Sequence, residues 1–308
     1  MTSASQRARE RAEARRLEIA ARQRKEARRR LVLRVGLPVL LVVLVVVALV
    51  VVKVSGGFGG DKPAAQGVIA SGTAPADVVG PVTSLTAADF NQVGAGDVSV
   101  TPTPLTGQPA LTADGKPRVL YVGAEFCPYC AAERWVVVAA LSRFGQFSGL
   151  GQTNSSASDV YANTATLSFH GATYTSQYLS FTGYETTTNK LQGSNYATLD
   201  TLSSADQAIV AKYNATPYVS QQSAGSIPFQ DLGNRYLVSG TSYSPELLGG
   251  KTHAQIAAAI ADPSTAIGKA VLASANVYTA ALCKLTDGQP GDVCSSPGVT
   301  AAAGKLAS

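Results

Sequence analysis

The chain has 308 residues and a net charge of +5, long enough for two domains. The charge is unevenly placed: the first thirty residues hold eleven Arg or Lys against four Glu, whereas the part after Lys53 holds twelve basic and sixteen acidic residues. That larger part is mildly acidic, which excludes nucleic acid as its expected ligand.

Residues 1–34 read as a basic cytoplasmic tail whose Ala, Glu and Arg content favours a solvated helix. The tail has no aromatic residue on which a base could stack. Residues 35–52 carry no charge over eighteen positions and would span about 27 Å as a helix, close to the roughly 30 Å of a bilayer core. The run is longer than a signal-peptide core and is followed by Lys53, so an uncleaved single-pass anchor is expected. The Arg-rich flank puts the N-terminus in the cytoplasm and the rest outside the cell membrane. Gly, Ala and Pro in residues 53–75 read as a flexible tether, followed by a folded domain at 76–300 and a tail at 301–308.

Within the domain, Thr86 should cap a short helix, and Asp114-Gly115 should turn the chain into a strand at 118–123. That strand runs directly into Cys127-Pro128-Tyr129-Cys130 and an apolar stretch from Trp135 to Leu141, read as a helix from 128 to about 144 that stops at Gly145. Pro128 fits the first helical position, which places Cys127 at or beside the N-cap. Unpaired amides and the helix dipole there favour an anion, so the Cys127 thiol should ionise unusually easily. Cys130, one turn on and more buried, is placed to attack a mixed disulfide formed at Cys127. Redox chemistry is preferred over an inert bridge, and a zinc site is disfavoured because the other two cysteines are far apart with no nearby histidine. No metal and no cofactor are expected.

These residues carry a resemblance. Ala124-Glu125-Phe126-Cys127-Pro128-Tyr129-Cys130, after an apolar strand and before a helix, resembles the active-site segment of the thioredoxin superfamily, and the tetrad itself is common in glutaredoxins. Residues 121–135 more closely resemble a family of membrane-anchored actinobacterial and archaeal proteins, the domain of unknown function nine-two-nine, over about residues 76 to 300. The resemblance implies a thioredoxin-like α/β fold, a central mixed sheet flanked by helices. Many thioredoxins have a buried acid in the strand before the motif; this chain has Tyr121, which leaves that position without a carboxylate.

Residues 145–190 are rich in Ser, Thr, Asn and Tyr, with strand-like alternation at 165–169. Tyr174, Tyr178, Phe181 and Tyr184 are spaced for one helical face or a packed loop, and core is preferred to a peptide-binding surface. Ser203 or Ser204 should cap a helix through Tyr213. Residues 225–238 read as a hairpin turning at Gly233-Asn234, with Pro228 opening its first strand. By resemblance Pro228 takes the superfamily's cis-proline position against the cysteine pair, and Ile227 presents its backbone to a substrate strand. Phe126, Pro128 and Tyr129 complete the substrate-binding set that follows.

Ser244, Thr252 and Ser264 should cap three closing helices, the last reaching about Lys284. Four cysteines allow three pairings, and the local pattern favours a structural bridge between Cys283 and Cys294. Glu125 and Glu133 read as solubilising charge at the helix start, and His170 and His253 as surface residues, so a hydrolase is unsupported. The reading is a membrane-anchored, extracytoplasmic thiol–disulfide oxidoreductase in which Cys127 and Cys130 are catalytic. Its expected partners are cysteine-containing exported proteins, with room for a membrane redox partner. The alternative is a non-catalytic binding or assembly module of the cell envelope.

Overall fold

The computed structural model of the chain describes residues 72–306. The expected cytoplasmic tail, the membrane anchor and the tether as far as residue 71 lie outside the described residues. In chain order, strand β1 (Gly72–Thr73) leads to helices α1 (Ala76–Thr83) and α2 (Ala87–Val93). Short strands β2 (Thr103–Pro104) and β3 (Thr112–Ala113) precede β4 (Lys116–Gly123), which runs into α3 (Pro128–Leu141). Next come β5 (Gly145–Ser148), β6 (Gly151–Asn154), β7 (Ala165–Ser168), β8 (Thr173–Ser176), β9 (Ser180–Glu185), β10 (Thr187–Gln192) and β11 (Asn195–Thr198). Helix α4 (Ser204–Tyr213) and the hairpin β12 (Phe229–Leu232) and β13 (Tyr236–Ser239) follow. The rest is helical: a 3-10 turn at Pro245–Leu248, then α5 (His253–Ile260), α6 (Ala266–Leu285), α7 (Gly291–Cys294) and α8 (Pro297–Ala303).

The principal sheet is mixed and built around β4. One edge of β4 pairs antiparallel with β12, and β9 pairs with it in parallel, Gly123 opposite Glu185. Val119, Leu120, Tyr121 and Val122 are all buried, because helices cover both faces and leave no solvent side for alternation to mark. Along β12 the side chains do alternate. Gln230 and Leu232 face the large core around α3 and α6, while Phe229 packs with Leu105, Tyr213 and Leu237 on the α4 side. The hairpin turns at Gly233-Asn234 and Asp114-Gly115 have both central residues at positive φ (64° and 53°; 52° and 72°), the geometry that matches strand twist.

Several boundaries differ from expectation. The folded part starts before 76, since β1 pairs with β6 and Ala74 N–H donates to the Leu150 carbonyl at 2.8 Å. It also continues past 300: Ala302 is fully buried in α8, so the expected tail at 301 begins inside a helix. Helix α3 ends at Leu141, not near 144, and Gly145 opens a strand. A side chain there would meet the Thr175 carbonyl at 2.3 Å, so glycine serves the close approach of β5 and β8 and is not a helix cap. Tyr174, Phe181 and Tyr184 lie on strands β8 and β9 instead of one helical face. With Tyr178 in the bend between those strands, the spacing of four, three and three comes from strand, turn and strand. Tyr174 and Phe181 do enter an aromatic cluster with Phe147 and Phe169, whereas the Tyr184 hydroxyl donates to Asp206. Ser203 caps α4 by accepting from Asp206 N–H. Helix α6 is capped by Thr265, which accepts from Gly268 N–H at 2.8 Å, while the Ser264 hydroxyl donates to Asp262.

Helix α6 is twenty residues long and apolar enough to cross a membrane, but it is buried against α3 and α8 as a core helix. Its end carries the Cys283–Cys294 disulfide, which closes a loop with a separation of 11 residues. Replacing both cysteines with Ser should lower the unfolding free energy by about 3 kcal/mol on the chain-entropy account, read from denaturant midpoints. A second stability test concerns Asp231, whose carboxyl is pushed up to about 6 by burial, although Asn234 N–H donates to it at 2.6 Å. A carboxyl that keeps its proton longer when folded contributes stability below pH 4 and loses it as pH rises through 6. The loss should approach about 3 kcal/mol by pH 7, and Asp231→Asn should flatten that part of the pH–stability curve.

Candidate dithiol site

Cys127 is the N-cap of α3, with extended backbone (φ −78°, ψ 121°) and Pro128 at the first helical position. Its Sγ accepts the Cys130 N–H at 3.2 Å, as a capping oxygen would. Both cysteines are buried, Cys127 at 5% exposure and Cys130 completely, so Cys127 is the outer of the two. The Cys127 thiol is held below its ordinary range, first by a hydrogen bond from the Cys130 side chain, against burial, and then by the Cys130 N–H and the Arg134 charge. Burial pushes Cys130 well up, reinforced by its bond to Cys127. The two thiols are therefore driven apart: the outer one gives up its proton more readily than a free thiol, and the inner one less readily.

Behind the pair lies a fully buried ion pair. Arg134 Nε donates to Glu185 Oε1 at 2.7 Å, and Arg134 Nη2 bonds both Glu185 Oε2 and the Ala124 carbonyl. Both side chains are completely buried. Burial pushes the Glu185 carboxyl up, and Arg134 pulls against it. Tyr121 sits below, fully buried with an unpartnered hydroxyl, and meets Phe169 edge-on at 4.8 Å. The buried acid of this site thus comes from β9, not from the strand that leads into the motif.

Glu133 is not the solubilising charge expected of it. It is fully buried, and its oxygens accept from Gln230 Nε2 and from both the N–H and hydroxyl of Ser242. Glu125 is half-buried and accepts from the Ser168 hydroxyl. Among all residues of α3 only Tyr129 is exposed, at 41%. The sequence held a usable signal for this: two adjacent charges inside an otherwise apolar run have no solvent face to occupy.

The sheet register completes the site. Phe229 pairs with Val122, so the residues just before β12 lie beside the end of β4. The Ile227–Pro228 peptide is cis, and the Ile227 carbonyl oxygen lies 3.8 Å from Cys127 Sγ. Phe126 stacks on Tyr196 with centroids 4.3 Å apart, and Tyr129 meets Tyr161 edge-on at 5.9 Å. Cys127, Cys130, Phe126, Pro128, Tyr129, Ile227 and Pro228 are therefore gathered at one end of the sheet. Arg134, Glu185, Tyr161 and Tyr196 join them without having been singled out from sequence.

The histidines lie elsewhere. His170 Nδ1 pairs with Asp200 at 2.6 Å on the surface, whereas His253 is half-buried with Nε2 at 2.7 Å from the Thr153 carbonyl, so it is not the surface residue expected. Among the described residues no group of three His, Cys, Asp or Glu side chains is arranged to hold a metal ion.

A family model described as a domain of unknown function (DUF929) matches residues 106–284, a span that contains the dithiol, the ion pair and the Ile227–Pro228 bond. No curated protein and no solved structure matches the chain. The site geometry sets a reactivity test on the reduced protein. Iodoacetamide should modify Cys127 with a pH midpoint below the roughly 8.5 of a free thiol, and Cys130 should react only after unfolding, as mapped by peptide mass spectrometry.

Proposed function

We propose that this chain, which belongs to the DUF929 family, is a thiol–disulfide oxidoreductase acting through Cys127 and Cys130. The observation that carries this reading is the split pair: an N-cap thiol, nearly buried, that ionises more readily than a free one, backed within one turn by a fully buried thiol that ionises less readily. An inert bridge has no use for such a difference, whereas exchange requires it. In the reductive direction the Cys127 thiolate attacks a substrate disulfide, forming a mixed disulfide and releasing one substrate thiolate, which takes up a proton. Cys130 then loses its proton and attacks Cys127 Sγ. The Cys127–Cys130 disulfide forms, the second substrate thiolate leaves, and two electrons have passed to the substrate. The oxidative direction is the same path reversed.

A thioredoxin-like fold is the finer reading of the architecture. It is supported by the β4–α3–β9 parallel crossover, by the antiparallel hairpin β12–β13 on the other edge, and by a cis-proline beside the dithiol. In that reading Ile227 offers its carbonyl to an extended substrate segment, with Phe126, Pro128, Tyr129 and Pro228 around it. The apolar stretch 35–52 with its basic flank supports a single-pass anchor with the dithiol outside the membrane. The Cys283–Cys294 disulfide supports the same side, since such bridges persist in oxidising compartments. The substrates proposed are cysteines of other exported proteins, with a membrane redox partner to reset the pair.

The test is the reduction potential of the pair in the full-length protein, equilibrated in glutathione buffers and read by mass spectrometry of alkylated thiols. A value above about −200 mV indicates an oxidase or isomerase, and one near −270 mV a reductase. A pair that glutathione cannot reduce would mark a structural bridge and favour a binding or assembly module instead. Cys127→Ser should abolish exchange with a model disulfide, while Cys130→Ser should trap the mixed disulfide at Cys127.

A further inference from the structure

Arg134 stands seven residues after Cys127 and four after Cys130, so the three share one face of α3. Helical side chains lean towards the N-terminus, which carries the guanidinium back under the dithiol. Its end point is recorded by the Ala124 carbonyl, which accepts from Arg134 Nη2 at 2.7 Å and from the Cys127 N–H at 3.2 Å. One acceptor thus ties the cation to the turn that presents Cys127. Glu185 fixes the guanidinium from the other side through two oxygens; the Phe169 N–H donates to its Oε1 at 3.4 Å, and its own backbone N–H donates to Asp200 at 2.8 Å.

A buried ion pair is an expensive way to stabilise a fold, since apolar residues of similar volume often do as well. Arg134 also leaves Nη1 without a partner in a fully buried setting. Both features suit a charge kept for its field.

We propose that Arg134 is a positioning residue for the dithiol: it holds the 124–127 turn and supplies the positive field in which the Cys127 thiolate forms, and Glu185 holds and partly cancels that field. This deepens the exchange reading, on which its purpose rests, by naming what sets the reactivity of the attacking sulfur. The other titratable groups around the pair are Cys130 on α3, Tyr121 on β4 and Glu125 in the turn. Of these groups Arg134 is the only cation, so its removal and the removal of Glu185 should act with opposite sign. A purely structural pair would respond alike to loss of either partner.

The test reads the thiol itself, so its outcome stands whether or not the dithiol exchanges with any substrate. The alkylation rate of Cys127 in the reduced full-length protein is followed from pH 5 to 9, with thiolate absorbance in parallel. Arg134→Gln should lower the rate below the midpoint by about tenfold, as expected for loss of a nearby opposite charge. Glu185→Gln, which keeps an oxygen for Arg134 Nε, should raise it, and Arg134→Lys should restore most of the wild-type rate. The double replacement Arg134→Met with Glu185→Leu leaves no stranded charge and should fall between the single variants. Single variants that shift in the same direction, or that leave the profile unchanged, overturn the proposal. If Arg134→Gln fails to fold by circular dichroism, Glu185→Gln decides alone: a faster reaction supports the proposal, and an unchanged or slower one overturns it.

Discussion

Helix α3 has almost no contact with water, yet it carries Glu133 and Arg134 side by side. A charge taken into such surroundings costs several kcal/mol unless it is paired and hydrogen-bonded. Successive helical residues point about 100° apart, so the two cannot share a partner. Glu133 reaches β12 and Ser242, and Arg134 reaches β9 and the Ala124 carbonyl. Those strands lie on opposite edges of β4. The helix is thereby pinned across three strands, since rotation or sliding would break these bonds in a buried setting. Apolar packing of Trp135, Val136, Val137, Val138 and Leu141 contributes more energy in total, at roughly 1.5–3 kcal/mol for each large side chain, but it is less exacting about register.

The geometry at the dithiol follows from that pinning. The end of β4 delivers Cys127 to the helix start, where its sulfur takes the place of a capping oxygen. The pairing of β12 with β4 brings the Ile227 carbonyl to 3.8 Å from the same sulfur. Cys130 is sealed beneath by the sheet and by α3 itself, so burial pushes its thiol up, while the bond from the Cys130 side chain lowers the Cys127 thiol against burial. The proposed exchange uses that separation at both steps: the outer sulfur attacks first, and the inner one acts only after a mixed disulfide has formed.

Surface features around the pair are aromatic. Phe126 on Tyr196 and Tyr129 against Tyr161 stand on either side of Cys127, each joining the motif to a segment distant in sequence. Ser156 N–H donates to the Phe126 carbonyl, and Glu125 N–H donates to the Thr187 carbonyl, so the turn presenting the thiol is braced from two directions. A rigid presentation of this kind favours reaction at one sulfur without rearrangement of the backbone.

Local chemistry was legible in the sequence wherever one residue type satisfies a local need. Pro128 marked the helix start, Asp114-Gly115 and Gly233-Asn234 marked two-residue turns, Thr86, Ser203 and Thr252 marked caps, and the short Cys283–Cys294 spacing marked a bridge. Such features depend on backbone angles and a few neighbouring amides, which a short stretch of chain specifies by itself. The apolar run around Glu133 and Arg134 signalled their burial, but their partners and the role of Gly145 were not legible, because Gln230, Glu185 and a carbonyl at Thr175 are far away in the chain and have no signature beside them. Spacing likewise could not decide between a helical face and a packed loop for Tyr174, Tyr178, Phe181 and Tyr184, since a three-to-four interval is the same for one helix face as for two strands joined by a turn. Sequence alone determined where Cys127 and Cys130 sit on their helix. Only the tertiary structure decided which charges surround them, because a buried charge takes its meaning from the partner that burial forces it to find.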